Sequence, residues 1–398
     1  MKILVCHNFY QQPGGEDKVF AEETALLEDH GHSVVRYTRH NDDLNTMGKV
    51  ETLRSLFWNP QTVRELGDVI ETERPDVLHC HNTFPLISPS AYAAAKRGKV
   101  AVVQTLHNYR MVCPNAQFLR DGKVCTTCAT KSFAWPAIRH ACYRSSKTAS
   151  AAIALQQTSR RVFDPKSSRV DRYIALTEFS KKTFVDSGLP GEKIAVKPNF
   201  VAKDPGVGSG VGGYAVFVGR LSEEKGIHTL LQAWRQLPFD LELKILGDGP
   251  LGDQVAAAAQ TDQRIKWLGH QPTTAVNAAL AEAKFLIMPS IWFETFGLSM
   301  IEAYAHGTPV IASNLGAMTE IVKHGNTGFL FEPGQAGELS ATIKKATDDE
   351  ALLQAMRQNA RQEFEHHYSA DRNYTQLIDV YTDAVTSSSS ANKLEATA

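Results

Sequence analysis

Short apolar segments alternate with longer amphipathic ones along almost the whole chain, and the alternation halts only once, at a glycine-rich stretch. Strands buried on both faces read as near-continuous apolar runs, and parallel strands must be joined by long crossovers, usually helices. In the first half the expected strands are Lys2–Asn8, Ser33–Thr38, Asp76–His81, Lys99–Leu106, Arg172–Leu176 and Ile194–Lys197. A first helix is expected over Glu16–His30, with Val19, Phe20, Leu26 and Leu27 at helical spacing and Gly31 as terminator. After Val201–Gly213, whose composition suits a linker, strands are expected at Tyr214–Val218, Leu241–Leu246, Ile265–Leu268, Phe285–Met288 and Val310–Ala312. Helices fit at Ile227–Leu237, Leu251–Ala259, Thr274–Ala283 and Leu298–His306, then over Gln335–His367 with one break. A last helix, Ala370–Thr386, is expected to pack back on the first domain, and the Ser-rich tail Ser387–Ala398 to be disordered. The fold class is therefore α/β, with two Rossmann-like doubly wound domains. Their strand ends would face a shared interdomain cleft, where ligands of such sheets bind.

The length, 398 residues, fits two or three domains, and 43% hydrophobic residues can fill two cores. The expected division is an N-terminal domain over 1–200 with an insert at 109–145, a linker at 201–213, a C-terminal domain over 214–368, the returning helix at 369–386 and the tail at 387–398. A net charge of −1 gives no global electrostatic case for nucleic acid. A local bias exists: between Lys131 and Arg172, nine Lys and Arg (131, 139, 144, 147, 160, 161, 166, 169, 172) stand against Asp164 and Asp171. That stretch is either a solvated face or a surface for phosphates or anionic membrane. Neither a signal-peptide core nor a membrane-length apolar run is present, so the expected location is the cytoplasm, with peripheral contact at the inner membrane.

Three loops that follow strands carry candidate chemistry. Gln12-Pro13-Gly14-Gly15-Glu16 pairs two glycines with a helix start, which lets backbone approach a ligand; the same sequence also makes an ordinary strand-to-helix turn. After Tyr214–Val218 comes Gly219-Arg220-Leu221-Ser222-Glu223-Glu224-Lys225-Gly226. Arg220 and Lys225 beside a helix N-terminus form a clamp for a diphosphate. After Phe285–Met288 comes Phe293-Glu294-Thr295-Phe296-Gly297-Leu298-Ser299-Met300-Ile301-Glu302. A carboxylate accepts two hydrogen bonds from a vicinal diol. Glu294 and Glu302, flanking a helix start at Gly297, suit one ribose and one sugar ring.

With Pro75-Asp76-Val77-Leu78-His79-Cys80-His81-Asn82, Thr105-Leu106-His107-Asn108, Pro198-Asn199 and Gly247-Asp248-Gly249-Pro250, these motifs resemble the family 4 (group 1) retaining glycosyltransferases of GT-B architecture, the type found in bacterial surface-polysaccharide assembly. The resemblance runs from residue 1 to about 385. It implies a nucleotide-sugar donor, most often UDP-linked, and a saccharide or lipid-diphosphate-linked acceptor. It implies that Arg220 and Lys225 neutralise the donor diphosphate, that Glu302 holds the ribose, and that Glu294 with the backbone of Thr295, Phe296, Gly297 and Leu298 holds the transferred sugar. His107 would stand near the sugar and acceptor. Gly14, Gly15, Asn199, Gly219 and Gly247 would approach the donor. His107, Arg220, Lys225 and Glu294 would be the catalytic set. No Asp-x-Asp pair occurs, so no catalytic metal is expected.

Cys113, Cys125, Cys128 and Cys142 cluster after His107. Their count and the Cys-x-x-Cys pair suit a structural four-thiolate zinc, with His140 as a substitute ligand; four reduced thiols in an irregular loop are the plainer alternative. The insert also carries Phe118, Phe133, Trp135 and Tyr143 among basic residues, which suits an acceptor site. Two rival functions fit the same residues less fully: a nucleotide-sugar epimerase on this architecture, and a non-catalytic sugar-nucleotide-binding protein.

Overall fold

The computed structural model describes residues 1–12, 14–164 and 168–396, with side chains described through residue 390. Pro13 of the glycine loop, Lys166 of the basic stretch and the last two residues of the tail lie outside the described residues. The chain forms two compact units: Met1–Ala116, Thr126–Ala202 and the chain from Asp371 on make the first, and Gln117–Cys125 with Lys203–Ala370 make the second.

The first unit opens with β1 (Lys2–Phe9), α1 (Gly15–Asp29), β2 (Ser33–His40), α2 (Lys49–Phe57), α3 (Pro60–Glu73), β3 (Val77–Asn82), α4 (Ser90–Arg97) and β4 (Ala101–Thr105). A two-stranded antiparallel hairpin, β5 (Leu119–Arg120) and β6 (Lys123–Val124), then departs to the second unit. The first unit resumes with α5 (Trp135–Arg139), α6 (Lys147–Phe163), β7 (Arg172–Ala175), α7 (Glu178–Asp186) and β8 (Ile194–Val196). Its parallel sheet has the order β2-β1-β3-β4-β7-β8. Strand order reverses between β1 and β3, so their carboxyl ends flank the crevice where such sheets take ligands.

The second unit contains β9 (Tyr214–Val218), α8 (Ile227–Gln236), β10 (Glu242–Leu246), α9 (Gly252–Thr261), β11 (Ile265–Gly269), α10 (Thr273–Glu282), β12 (Phe285–Met288) and α11 (Leu298–Ala305). It continues through β13 (Val310–Ser313), α12 (Met318–Ile321), β14 (Gly328–Phe331), α13 (Ala336–Asp348) and α14 (Glu350–His367). The order is β11-β10-β9-β12-β13-β14, again parallel, with the switch between β9 and β12. Its core joins Trp234 and Leu230 of α8 to Leu243, Ile245, Phe285 and Ile311 of the sheet and to Leu339 and Ile343 of α13.

The final helix, α15 (Ala370–Ala396), belongs to the first unit, where Leu377, Tyr381 and Ala384 enter the same core as Ile3, Val5, Val77 and Val103. The expected disorder from Ser387 is corrected here, because the helix continues ten residues past Thr386, from Ser387 to Ala396. That segment has no Pro or Gly, contains Ala, Lys, Leu and Glu, and buries Ser388.

Further details of the fold have physical causes. The Gly-rich stretch at 201–213 is ordered against the second unit: Gly208 N donates to His306 O at 2.9 Å, Gly210 N to Ala281 O at 3.0 Å and Gly212 N to Glu282 O at 2.9 Å. A Cβ on Gly208 would lie 2.1 Å from the Ala281 carbonyl, so here glycine serves close backbone approach and not freedom. The insert at 109–145 is divided, because Phe118 is buried and its ring meets Phe293 edge-on at 6.0 Å within the second unit. β14 and the hairpin were not anticipated, being four and two residues per strand. The break in the long C-terminal helical stretch falls at Asp349, whose carboxylate accepts from Leu352 N at 2.9 Å and caps α14.

Candidate active site

In the second unit the candidate residues gather at the carboxyl edge of β9, β10 and β12. Gly219 N donates to Leu246 O at 3.0 Å and Gly247 N to Gly269 O at 2.8 Å, so both glycines sit where the ladder ends. Arg220 is exposed, with no side-chain partner among the described residues. A short turn, Glu223–Lys225, leads through Gly226 into α8 and puts Lys225 beside that helix's N-terminus.

Lys225 Nζ donates to Glu294 Oε1 at 2.7 Å and lies 5.4 Å from the Trp292 ring centroid. Ser290 Oγ donates to the same oxygen at 2.7 Å. Glu294 is only 4% exposed. A carboxylate that buried is costly without such partners. The expected diphosphate cation and the expected sugar acceptor group thus hold each other across the switch point.

Gly297 forms the N-cap of α11 with φ 99°. A Cβ there would meet the Met300 and Met288 methyls at 2.7 and 2.8 Å, contacts that flexible methionines can yield, so it is the positive φ that favours glycine. Thr295 and Phe296 complete this loop and Leu298 opens the helix; Phe296 is buried edge-on to Tyr368 at 5.9 Å. Glu302 is half-buried on α11, among the buried side chains of Met300, Ile301, Ala303 and Tyr304.

In the first unit, Gly14 caps α1, but its amide is engaged: Gly14 N donates to Asp17 Oδ2 at 2.7 Å. Asp17 Oδ1 lies 2.7 Å from His7 Nε2. Gly15 is the first helical residue. His107, just past β4, has Nε2 3.0 Å from His81 Nδ1 on β3, with the rings stacked at 5.2 Å. Burial, then the charges of His7 and Lys197, hold the His107 imidazole down at about 3, so the ring is neutral at physiological pH and can exchange hydrogen bonds but cannot neutralise a phosphate. Asn199 is buried, and its Oδ1 has no partner among the described residues.

Behind His107 lies a buried polar network. His79 is bonded on both nitrogens, to Tyr381 Oη at 2.7 Å and Thr105 Oγ1 at 2.8 Å. Glu23 pairs with Lys197 at 3.3 Å. Glu23, His79 and His81 have ligand atoms close enough to share a metal ion. Both nitrogens of His79 and Glu23 Oε2 are committed within the protein, while Glu23 Oε1 is buried with no hydrogen-bond partner among the described residues.

Sequence reasoning missed a second cluster. Asn108 Nδ2 donates to Glu16 Oε2 at 3.2 Å and lies 3.5 Å from Tyr10 Oη. Burial pushes the Glu16 carboxyl up to about 7. Arg110 stacks over Phe84 at 4.2 Å, with its Nε and Nη1 buried and unpartnered among the described residues. Glu16 was visible beside the glycine pair, but at a helix start the dipole would favour its ionised form; only the folded neighbourhood reverses that.

The six cysteines, Cys113, Cys125, Cys128 and Cys142 included, form no disulfide. Cys128 and Cys142 pack on one small cluster with Ala134, Ala137 and Ala154.

Two doubly wound parallel sheets with this order define the GT-B fold, the architecture of one large class of glycosyltransferases. The Anabaena protein HepE, solved with UDP-glucose, superposes with a TM-score of 0.68 at 19% identity, over 96% of this chain and 99% of that one. A Rickettsia africae glycosyltransferase gives 0.70 at 16% identity, over 96% and 99%. The family described as Glycosyltransferase Family 4 matches residues 13–204, and that described as Glycosyl transferases group 1 matches residues 212–363. The chain belongs to the group 1, family 4-type glycosyltransferases. Among curated relatives, glycogen synthase of Mycobacterium tuberculosis is 27% identical over 78% of this chain and 69% of that protein. The 2-deoxystreptamine glucosyltransferase of Streptomyces kanamyceticus is 35% identical over 39% of this chain and 42% of that protein.

Proposed function

We propose that this enzyme transfers a sugar from a UDP-linked donor, with retention of anomeric configuration, to a saccharide or lipid-linked saccharide acceptor in polysaccharide assembly. The observation that carries the reading is the Lys225–Glu294 pair beside Arg220, Gly219 and Gly297 at the β9–β12 switch. On donor binding, Lys225 and Arg220 would take the diphosphate, whose charge grows as the glycosidic bond breaks. Glu294, with the loop Thr295–Leu298, would take sugar hydroxyls, and Glu302 the ribose. The UDP-glucose held by HepE supports the choice of donor.

The first unit would bind the acceptor, with His107 supplying a neutral hydrogen-bonding imidazole. Catalysis rests on positioning and charge stabilisation. The donor phosphate would receive the acceptor proton in a same-face displacement, a reading chosen because no carboxylate among the described residues stands out as a nucleophile. The clamp of Arg220 and Lys225 takes the role a divalent cation has in other transferases, so activity should survive a chelator. The four thiols are proposed as ligands of a structural zinc, on their softness, count and Cys-x-x-Cys spacing; metal analysis of purified protein finding no zinc would remove that part. No helix among the described residues is long and apolar enough to cross a membrane, and action at the cytoplasmic face of the inner membrane fits this reading.

Incubation with UDP-sugars tests the proposal. Transfer to saccharide acceptors, or slow donor hydrolysis without one, is expected, with the product anomer matching the donor. An epimerised donor as the only product would overturn it.

A further inference from the structure

The first unit contains two cavities that share a wall. One, of about 90 Å³, is lined by His107, Asn108 and Arg110 from the loop after β4. The other, of about 300 Å³, is lined chiefly by Phe57, Trp58, Tyr92, Phe163, Val170 and Tyr173. Pro89, Tyr92, Gln156 and Arg160 line both, so the cavities are neighbours, with Arg160 on their shared lining along the path from one to the next. The wall follows from helix geometry: Gln156, Ser159, Arg160 and Phe163 stand at i, i+3, i+4 and i+7 on α6, one face of the helix.

The chemistry changes along this path in one direction. At the His107 end it is polar, and Arg110 offers two buried guanidinium nitrogens with no partner among the described residues. A buried donor without a partner is costly, and an anion would satisfy it. Arg160 follows. Asp164, the acid lining the larger cavity, is turned to its own loop, accepting from Ser168 Oγ at 2.7 Å. The far end is apolar and open: Phe163 is 77% and Trp58 40% exposed, and Leu155 and Val162 on α6 and Leu53 on α2 are also exposed. Large exposed apolar patches on a soluble unit mark binding surfaces.

We propose that this path binds a lipid diphosphate, with the diphosphate at Arg110 and Arg160, the hydrocarbon chain over Trp58 and Phe163, and the saccharide on the diphosphate at His107. The inference rests on the transferase reading and selects, from its two acceptor classes, the lipid-linked one. Charge complementarity decides the occupant. A bulk membrane lipid or a partner helix would cover the apolar end without reaching the guanidinium groups of Arg110 and Arg160.

Calorimetric titration of the full chain, saturated with UDP so that the clamp at Arg220 and Lys225 is occupied, with farnesyl diphosphate, inorganic diphosphate and farnesol tests it. Farnesyl diphosphate should bind at least about tenfold tighter than either fragment. Phe163→Asp, at an exposed position, should erase most of that advantage and leave inorganic diphosphate binding unchanged. Arg160→Gln should weaken both diphosphates. Equal affinity for farnesyl and inorganic diphosphate overturns the proposal. So does binding to phosphatidylglycerol vesicles that Phe163→Asp abolishes and farnesyl diphosphate fails to displace, which assigns the patch to bulk membrane. UDP binding in the same samples should be untouched by both substitutions. If it persists while farnesyl selectivity is absent, the lipid site alone is lost and the transferase reading stands.

Discussion

The Glu294 carboxylate takes two hydrogen bonds on one oxygen, from Lys225 and Ser290, while nearly buried. Lys225→Ala should therefore do more than remove a phosphate contact, because it leaves that carboxylate without its cation. A loss on the order of 10²–10³ in kcat/KM is expected, and steady-state kinetics with a UDP-sugar would show it; near-normal turnover would contradict the assignment. Glu16 makes a prediction with a sign. Burial raises its folded value to about 7, above the ordinary 4.5 of the unfolded chain. Its contribution is therefore fully present below about 4.5 and is lost as pH rises through about 7. Glu16→Gln should stabilise the protein, by on the order of 1–3 kcal/mol at pH 8 given its partial exposure, and by less at pH 5. Thermal unfolding at the two pH values checks this, and an equal gain at both would sink it. At this scale the sequence was legible as motif positions: Arg220, Lys225, Glu294 and Gly297 all stand in loops that follow strands. What it hid was partnership. That Lys225 grips Glu294, or that His81 meets His107, depends on strands adjacent in space and distant in sequence.

Among the elements, α15 has the longest reach. Its Tyr381 hydroxyl meets His79 Nδ1 at 2.7 Å, and its ring packs into the β-sheet core of the first unit. Tyr381→Phe removes the hydroxyl and leaves a buried ring nitrogen unpaired, at a cost of about 1–3 kcal/mol. Tyr381→Ala adds a cavity and should cost about 3–5 kcal/mol, by analogy with other large aromatic truncations. Urea unfolding of the two variants would rank them, and a Phe variant as stable as wild type would show that the hydroxyl contributes nothing. The parallel strands were readable because full burial makes them continuous apolar runs, as in Phe285–Met288. β14 escaped because Gly328–Phe331 offers only four residues between turns. In the stretch at 201–213, where the division between the units falls, composition did not disclose that the glycines permit close contact with Ala281, Glu282 and His306.

For the whole molecule, two repeats of one architecture carry different chemistry on equivalent edges. The first sheet ends in the neutral imidazole of His107, stacked on His81; the second ends in Arg220 and the Lys225–Glu294 pair. That contrast suits an uncharged acceptor hydroxyl on one and an anionic donor on the other, and the alternating pattern of the sequence alone could not have distinguished them. Calorimetric titration with UDP, of the wild type and of Arg220→Ala, decides the donor assignment. Arg220 is exposed and has no side-chain partner among the described residues, so the substitution should leave the fold intact. UDP should bind the wild type, and at least about tenfold more weakly to the variant, as loss of a charge-assisted contact requires. Equal affinity in both proteins, or no binding to either, would contradict it.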